Sequence, residues 1–403
     1  MSAALEFRHV DILFPSAAAG RRRREAMRRA LELLDGGLPR MQIAERTGIV
    51  VGVANASLSV SPGEISVLMG LSGSGKSTLL RAANGLSPVT RGQVLVGGGD
   101  RIVDVVACDA ARLRAVRRAR IAMVFQQFGL LPWRTVRENV GLGLELRGVP
   151  ALERLRIVDE KLALVGLKDW ANRYARELSG GMQQRVGLAR AFASEADILL
   201  MDEPFSALDP LIRTKLQDEL LMLQRQVRKT ILFVSHDLDE ALKLGNRISI
   251  LEGGRIVQTG APRDIVLRPI DDYVAQFVRH MNPLNVLTGG MVMRSHDGLA
   301  REDGRVWLDA AGRYRVTLDA RGACRAVHVD GVEAAFTHYA DPADSPMVPG
   351  AFVIAPVALP LQRLIQLREL SGHPVLLAED GVISGVCDER EIVRALAGKA
   401  AVD

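Results

Sequence analysis

The chain reads as an α/β protein built on a parallel sheet with ligand-binding residues along one edge. Three stretches predict this. The apolar run Ile65-Ser66-Val67-Leu68-Met69 leads into Gly70-Leu71-Ser72-Gly73-Ser74-Gly75-Lys76-Ser77-Thr78 and then a helix-like segment from Leu79. The run Ile198-Leu199-Leu200-Met201 ends in Asp202-Glu203-Pro204, and Thr230-Ile231-Leu232-Phe233-Val234 ends in Ser235-His236-Asp237. Strands buried on both faces of a parallel sheet read as continuous apolar runs. Ligands of such sheets collect outside the carboxyl ends of the strands.

The first stretch has the order strand, glycine-rich turn, helix that makes a phosphate-binding loop. Glycines let the backbone bend until successive N–H groups face one point, and the following helix directs its positive end there. Lys76 can reach β- and γ-phosphates, and Ser77 can hold Mg²⁺. In the second stretch, Asp202 is placed to hold Mg²⁺ through water. Glu203 is placed to orient or deprotonate an attacking water. In the third, His236 can donate to a γ-phosphate. A chance glycine turn, an acidic strand end and a structural histidine are the plain alternatives. Their occurrence in one chain in this context favours function.

Composition sets the outer bounds. The chain has 403 residues, 48% hydrophobic and 25% charged, enough for two or three domains with a sizeable core. Its net charge of +5 does not by itself argue for nucleic acid. The three cysteines, Cys108, Cys324 and Cys387, have no metal-like spacing and fit a reducing compartment. No apolar run reaches the roughly 18 residues of a membrane helix, and no signal peptide is evident, so a cytosolic chain is expected.

In chain order, Leu5-Glu6-Phe7-Arg8-His9-Val10 alternates like a half-buried strand. Phe14 follows it, as either a base-stacking ring or a core phenylalanine. Residues 16–48 are expected to hold two short helices after the run Arg21-Arg22-Arg23-Arg24. A DNA-binding helix-turn-helix is one reading; because charge runs are usually solvated faces, a helical hairpin touching a partner or the membrane surface is preferred. Strands are predicted over 49–60, 92–96 and 121–125, the last ending at Gln126, and a basic amphipathic helix over 109–120. Residues 136–193 read as helical. Within them Leu178-Ser179-Gly180-Gly181-Met182-Gln183-Gln184 opens a helix like a second anion site. Ser206-Ala207-Leu208-Asp209-Pro210 starts a long helix, and 247–259 reads as a hairpin.

Taken together, the set resembles the ATP-binding subunit of an ABC transporter from Leu5 to about Asn285. Residues 70–78 look like the Walker A motif, Gln126 like the Q-loop and 178–184 like the signature. Residues 198–203 look like Walker B with its catalytic glutamate, 206–209 like the D-loop and His236 like the switch histidine. The resemblance implies a RecA-like P-loop core with an antiparallel β subdomain and a helical subdomain over about 127–193. It implies that Glu203, His236 and Gln126 serve catalysis and that Ser77, Gln126 and Asp202 attend Mg²⁺. ATP would be held by Phe14, Gly70, Ser72, Gly73, Ser74, Gly75, Lys76, Ser77 and Thr78. It would also meet Gly180, Gln183 and Asp209, while Ser179 and Gly181 of a second copy of the chain would cap the γ-phosphate.

The insertion before Ile49, with Gln42-Ile43 and Glu45-Arg46-Thr47-Gly48, is similar to one in importers of quaternary amines. So are Asp202-Glu203-Pro204-Phe205-Ser206-Ala207-Leu208-Asp209 and His236-Asp237-Leu238-Asp239-Glu240-Ala241. These look like the glycine betaine, proline and choline group. His280-Met281-Asn282-Pro283-Leu284-Asn285-Val286-Leu287 looks most like the choline branch. The implied partners are an integral-membrane permease, a substrate-binding protein acting indirectly and a second copy of the chain, at the cytoplasmic face of the membrane; nucleic acid is not expected. Residues 286–403 form a separate domain in this reading. Helix, strand, strand and helix over 361–397 resemble a CBS unit, a small α+β regulatory module. The β-like stretch 313–339 makes a first, tandem unit look degenerate. A soluble ABC-type ATPase and a DNA-binding regulator are the rival classes.

Overall fold

The computed structural model describes residues 3–16, 23–97, 102–194, 196–279, 284, 287–299, 301–302, 305–339 and 349–397. The chain forms two compact units, Met1–Pro262 and Arg263–Asp403. That division falls earlier than the boundary after Asn285 expected from the sequence.

The first unit opens with β1 (Leu5–Pro15), which runs past the expected strand to include Phe14. Next come α1 (Arg23–Asp35), α2 (Arg40–Thr47) and β2 (Ile49–Val60). Gly48 ends α2 at φ +67°, a conformation glycine adopts without steric cost. The chain continues through β3 (Ile65–Met69), α3 (Lys76–Ala82), β4 (Arg91–Val96) and β5 (Val103–Asp104). Then come α4 (Ala110–Ala119), capped by Asp109, and β6 (Ile121–Val124). The helical stretch holds α5 (Val136–Leu146), started by a Thr135–Glu138 capping box, α6 (Ala151–Leu164) and α7 (Gly180–Ala193). It is followed by β7 (Ile198–Asp202), α8 (Pro210–Val227), β8 (Thr230–Val234) and α9 (Leu238–Leu244). The hairpin β9 (Arg247–Glu252) and β10 (Arg255–Gly260) closes the unit.

Two sheets result. One is antiparallel with the order β2-β1-β4-β5. The other has the order β10-β9-β3-β8-β7-β6, and β9, β3, β8, β7 and β6 all run parallel. Every residue of β3, β7 and β8 is buried, as their apolar runs require. A shared core, including Phe7, Ile12, Leu68, Leu79, Ile198 and Leu232, lies between the sheets. Each fully buried aliphatic side chain of this kind contributes about 1.5–3 kcal/mol. Parallel direction places the ends of β3, β8, β7 and β6 on one edge.

The helical insertion turns its apolar face to its own sheet. Ala30, Leu34 and Ile43 are buried with Leu13, Ile49, Val51 and Ala54. Arg91 of β4 donates to both carboxylate oxygens of Asp35 at 2.8 and 2.6 Å, and to the buried Asp11 at 2.6 Å. The covered face of the hairpin is thus an internal packing surface; the partner or membrane contact expected from its charge concerns its other, charged face. Arg23 and Arg24 are exposed; Arg21 and Arg22 lie outside the described residues.

The second unit begins at α10 (Pro262–Leu267), α11 (Asp272–Arg279) and α12 (Gly289–Val292). An antiparallel meander follows: β12 (Arg301–Glu302), β13 (Arg305–Trp307), β14 (Tyr314–Leu318), β15 (Cys324–Val329) and β16 (Val332–Ala334). The other sheet has β11 (Arg294–Ser295), β17 (Phe336–His338), β18 (Phe352–Pro356), β19 (Val375–Glu379) and β20 (Val382–Cys387) in the order β11-β20-β19-β18-β17. Helices α13 (Leu361–Ser371) and α14 (Glu389–Leu396) complete a strand–helix–strand–strand–helix succession from β18. The sequence signalled its last four elements.

Candidate functional site

The edge common to β3, β8, β7 and β6 gathers the loop after β3, His236, Asp202 with Glu203, and Gln126. The loop is shaped by glycine. Gly70 has φ +141°, and a Cβ there would lie 2.2 Å from the Leu251 carbonyl oxygen. Gly75 has φ +98°, and a Cβ there would lie 2.3 Å from the Gly52 carbonyl oxygen. Neither position admits a side chain. Gly73 has φ +75° but open space around it, so backbone conformation alone calls for glycine there. Ser72 and Gly73 are exposed, Thr78 is half-buried, and Ser74 is buried.

Lys76 is buried, and its Nζ donates to the carbonyls of Gly70 at 2.8 Å and Leu71 at 2.9 Å. Burial pulls its ammonium below the usual lysine range, and the charges of Glu203 and Asp202 oppose that shift. Among the described residues the Ser74 hydroxyl is buried without a hydrogen-bond partner. A cation held by carbonyls and such a buried hydroxyl suit a loop that takes a phosphate.

Asp202 is fully buried at the end of β7. Ser77 Oγ donates to its Oδ1 at 2.7 Å, and Arg81 Nη2 donates to its Oδ2 at 2.7 Å. The hydroxyl and carboxylate expected to attend Mg²⁺ are therefore already adjacent, which fits such an ion. Glu203 follows at φ +49°, an unfavourable conformation for a non-glycine residue. It is held there from several sides. Its N–H donates to Val234 O at 3.1 Å, and its carbonyl accepts from Gln184 Nε2 at 3.0 Å and Ser206 Oγ at 3.1 Å. The carboxylate accepts from Gln126 Nε2 at 3.3 Å and faces His236 Nδ1 at 3.4 Å. Glu203 thus joins Gln126 and His236 from three different strand ends.

Phe14 is half-buried on β1, paired in register with Val50. A Cβ on Gly52 would lie 2.9 Å from its ring. Gly52 also abuts Gly75, so ring and loop flank the same glycine. The signature residues are differently engaged. Ser179 caps α7, its Oγ accepting from Met182 N at 3.4 Å, and Gln183 Nε2 donates to Leu178 O at 3.1 Å. Ser179 and Gly180 are exposed, and Gly181 backs onto the Ala207 carbonyl. Asp209 is exposed and caps α8 through Ile212 N at 3.0 Å. Among the described residues no hydrogen bond joins these side chains to the loop, Asp202 or Glu203.

Four contributors had no role in the sequence reading. Arg81 lies one turn after Ser77 on α3, a spacing that could have shown both facing one acid. Gln184 ties the signature helix to the Glu203 carbonyl and accepts from Ala207 N at 3.0 Å. Arg190 of α7 donates to the carbonyls of Gly129 at 2.7 Å and Phe128 at 3.0 Å, just after Gln126. Burial pulls its guanidinium below the usual arginine range. Arg40, the first residue of α2, donates from Nη1 to the Gly73 carbonyl at 2.8 Å. No local signal marks Arg190 or Arg40, because their partners are distant in sequence.

The fold and this edge define a nucleotide-triphosphate-binding P-loop protein. A family described as ABC transporter matches residues 53–206. The glycine betaine/proline betaine transport system ATP-binding protein ProV of Escherichia coli is 43% identical over 92% of this chain and 94% of its own length. The choline transport ATP-binding protein OpuBA of Bacillus subtilis is 42% identical over 56% of this chain and 58% of its own. A dimeric, post-hydrolysis structure of the ATP-binding cassette MJ0796 bound to ADP and Pi aligns with a TM-score of 0.54 at 30% identity. It covers 64% of this chain and 98% of that cassette. The chain belongs to the ABC transporter family, as one of its ATP-binding proteins.

Proposed function

We propose that the chain hydrolyses ATP to power import of choline or a related quaternary amine across the cytoplasmic membrane. The observation that carries the ATPase reading is Glu203, held in a left-handed conformation between Gln126 and His236, one residue after the Ser77–Asp202 pair. Lys76 and the N–H groups of the loop, from Gly70 through Thr78, receive the phosphates, with Ser72 and Ser74 hydroxyls beside them. Phe14 stacks on the base. Ser77, Asp202 and Gln126 would hold Mg²⁺, which would neutralise phosphate charge there. Glu203 takes a proton from the attacking water, and His236 donates to the γ-phosphate. Such catalysis consists of positioning and electrostatic stabilisation.

A second copy supplies Ser179 and Gly181 to cap the γ-phosphate, and Gly180, Gln183 and Asp209 also meet the nucleotide. Ser179, Gly180 and Asp209 are exposed in the single chain, which supports this. ATP then favours the closed dimer because it binds that state better. The permease docks beside Gln126, where a cavity of about 450 Å³ is lined by Asn84, Arg117, Met123, Phe125, Leu142 and Arg190. The chain sits at the cytoplasmic face as a peripheral subunit, fed indirectly by a substrate-binding protein. No helix among the described residues is long and apolar enough to cross a membrane. In this reading residues 1–285 are the cassette and 286–403 a CBS-like regulatory domain, supported by the β18-α13-β19-β20-α14 succession.

Choline rests on the stretch 280–287, of which only Leu284 and Leu287 are described. Glycine betaine or proline betaine is a second reading, favoured by the betaine relative's match over 94% of its length. Uptake of labelled choline and glycine betaine by cells lacking this chain separates the two. The expected result is loss of one or both; full retention of both overturns the import reading.

A further inference from the structure

The helical insertion brings one side chain to the phosphate-binding loop. Arg40 begins α2, an eight-residue helix with no side-chain cap and no acid in its first turn. A cation at that end opposes the helix dipole, at a cost of about 0.3–1 kcal/mol. Local preference therefore does not explain Arg40, and the long-range contact does: its guanidinium donates to Gly73 O at 2.8 Å. The insertion is anchored on both sides of this contact. Ile43 is fully buried one turn along α2, and Asp35 at the end of α1 is clamped by Arg91. Arg40 is thus delivered by a fixed element.

Gly73 O and Ser74 N–H belong to one peptide group. A cation on the oxygen polarises that group and makes the N–H a stronger donor. Ser74 has capacity to use it. Among the described residues its N–H makes one long 3.2 Å bond, to Leu71 O, and its buried hydroxyl has no hydrogen-bond partner. We propose that Arg40 is a positioning residue of the nucleotide site: it braces the outer side of the loop at Gly73 and tightens the loop's hold on ATP phosphates. This rests on the ATP-binding reading above and gives the insertion a part in it.

The test uses the full chain as wild type, Arg40→Ala and Arg40→Lys, with Mg-ATP and Mg-ADP as probes. Arg40→Ala should raise the Kd and KM for ATP roughly three- to ten-fold, the scale of one ordinary hydrogen bond's net contribution. Its kcat and melting midpoint should stay at wild-type values. Arg40→Lys keeps one donor and should recover most of the affinity. Unchanged ATP affinity in Arg40→Ala overturns the inference, as does a loss that tracks a lowered melting midpoint. A wild-type chain that binds no ATP would instead remove the reading beneath it.

Discussion

The residues around the P-loop and those of the signature stretch share one chemistry, yet the fold treats them differently. Around the P-loop, side chains from distant elements meet: Ser77 and Arg81 of α3 on Asp202, Gln126 and His236 on Glu203. Around Ser179 and Asp209, the side chains only cap their own helices and face outward. In the proposed site, one half is assembled by folding and the other is an exposed surface. The two are mechanically linked all the same, because Gln184 joins the signature helix to the Glu203 backbone and Arg190 grips the segment after Gln126.

The largest expected effect tests the assembled half. Glu203→Gln should lower hydrolysis by at least about 100-fold, the scale of a lost general base. ATP binding should persist, leaving an ATP-stabilised dimer visible by light scattering. Near-normal turnover would sink the role of Glu203 and with it the contrast between the halves. A second test breaks the halves separately. Lys76→Ala and Ser179→Arg chains should each be inactive, and mixing them should restore measurable turnover. Mixtures as inactive as their components would place both halves in one chain.

The smallest effect concerns the support beneath His236. Glu240 is buried on α9, accepting from Ser235 Oγ and from Gln217 Nε2 at 3.1 Å. Burial pushes its carboxyl above the usual range, with the hydrogen bonds from Ser235 and Gln217 acting in the opposite sense. A raised folded value means that the folded state binds the proton more readily than the unfolded chain. Stability from this group is full below the ordinary glutamate range and is lost as pH rises through the folded value. Glu240→Gln, uncharged throughout, should melt higher than wild type near pH 7, with the gap closing toward about pH 4. An equal gap at both pH values would show that packing, not charge, sets the difference.

Much of the cassette was legible because its signals are local. Continuous apolar runs marked β3, β7 and β8; glycines and Lys76 marked the loop; the acids after Met201 marked the strand end. The second unit was less legible. Its short meander strands carry weak alternation, and the fully buried Phe352 and Ile354 of β18 sat in an apolar run with no helical or strand period to separate them.

By itself, then, the sequence determined the parallel-sheet core, the phosphate loop and the identity of the acids, because each is written in consecutive residues. Only the tertiary structure decided which groups meet. The order β3-β8-β7-β6 sets His236 and Gln126 on one carboxylate, and the packing of α1 and α2 sets Arg40 on Gly73. Those contacts join positions 33 to 77 residues apart, and no local propensity encodes them. They follow from burying apolar faces in one register. The loop first recognised as a nucleotide cradle is thereby also the place where the insertion touches the core.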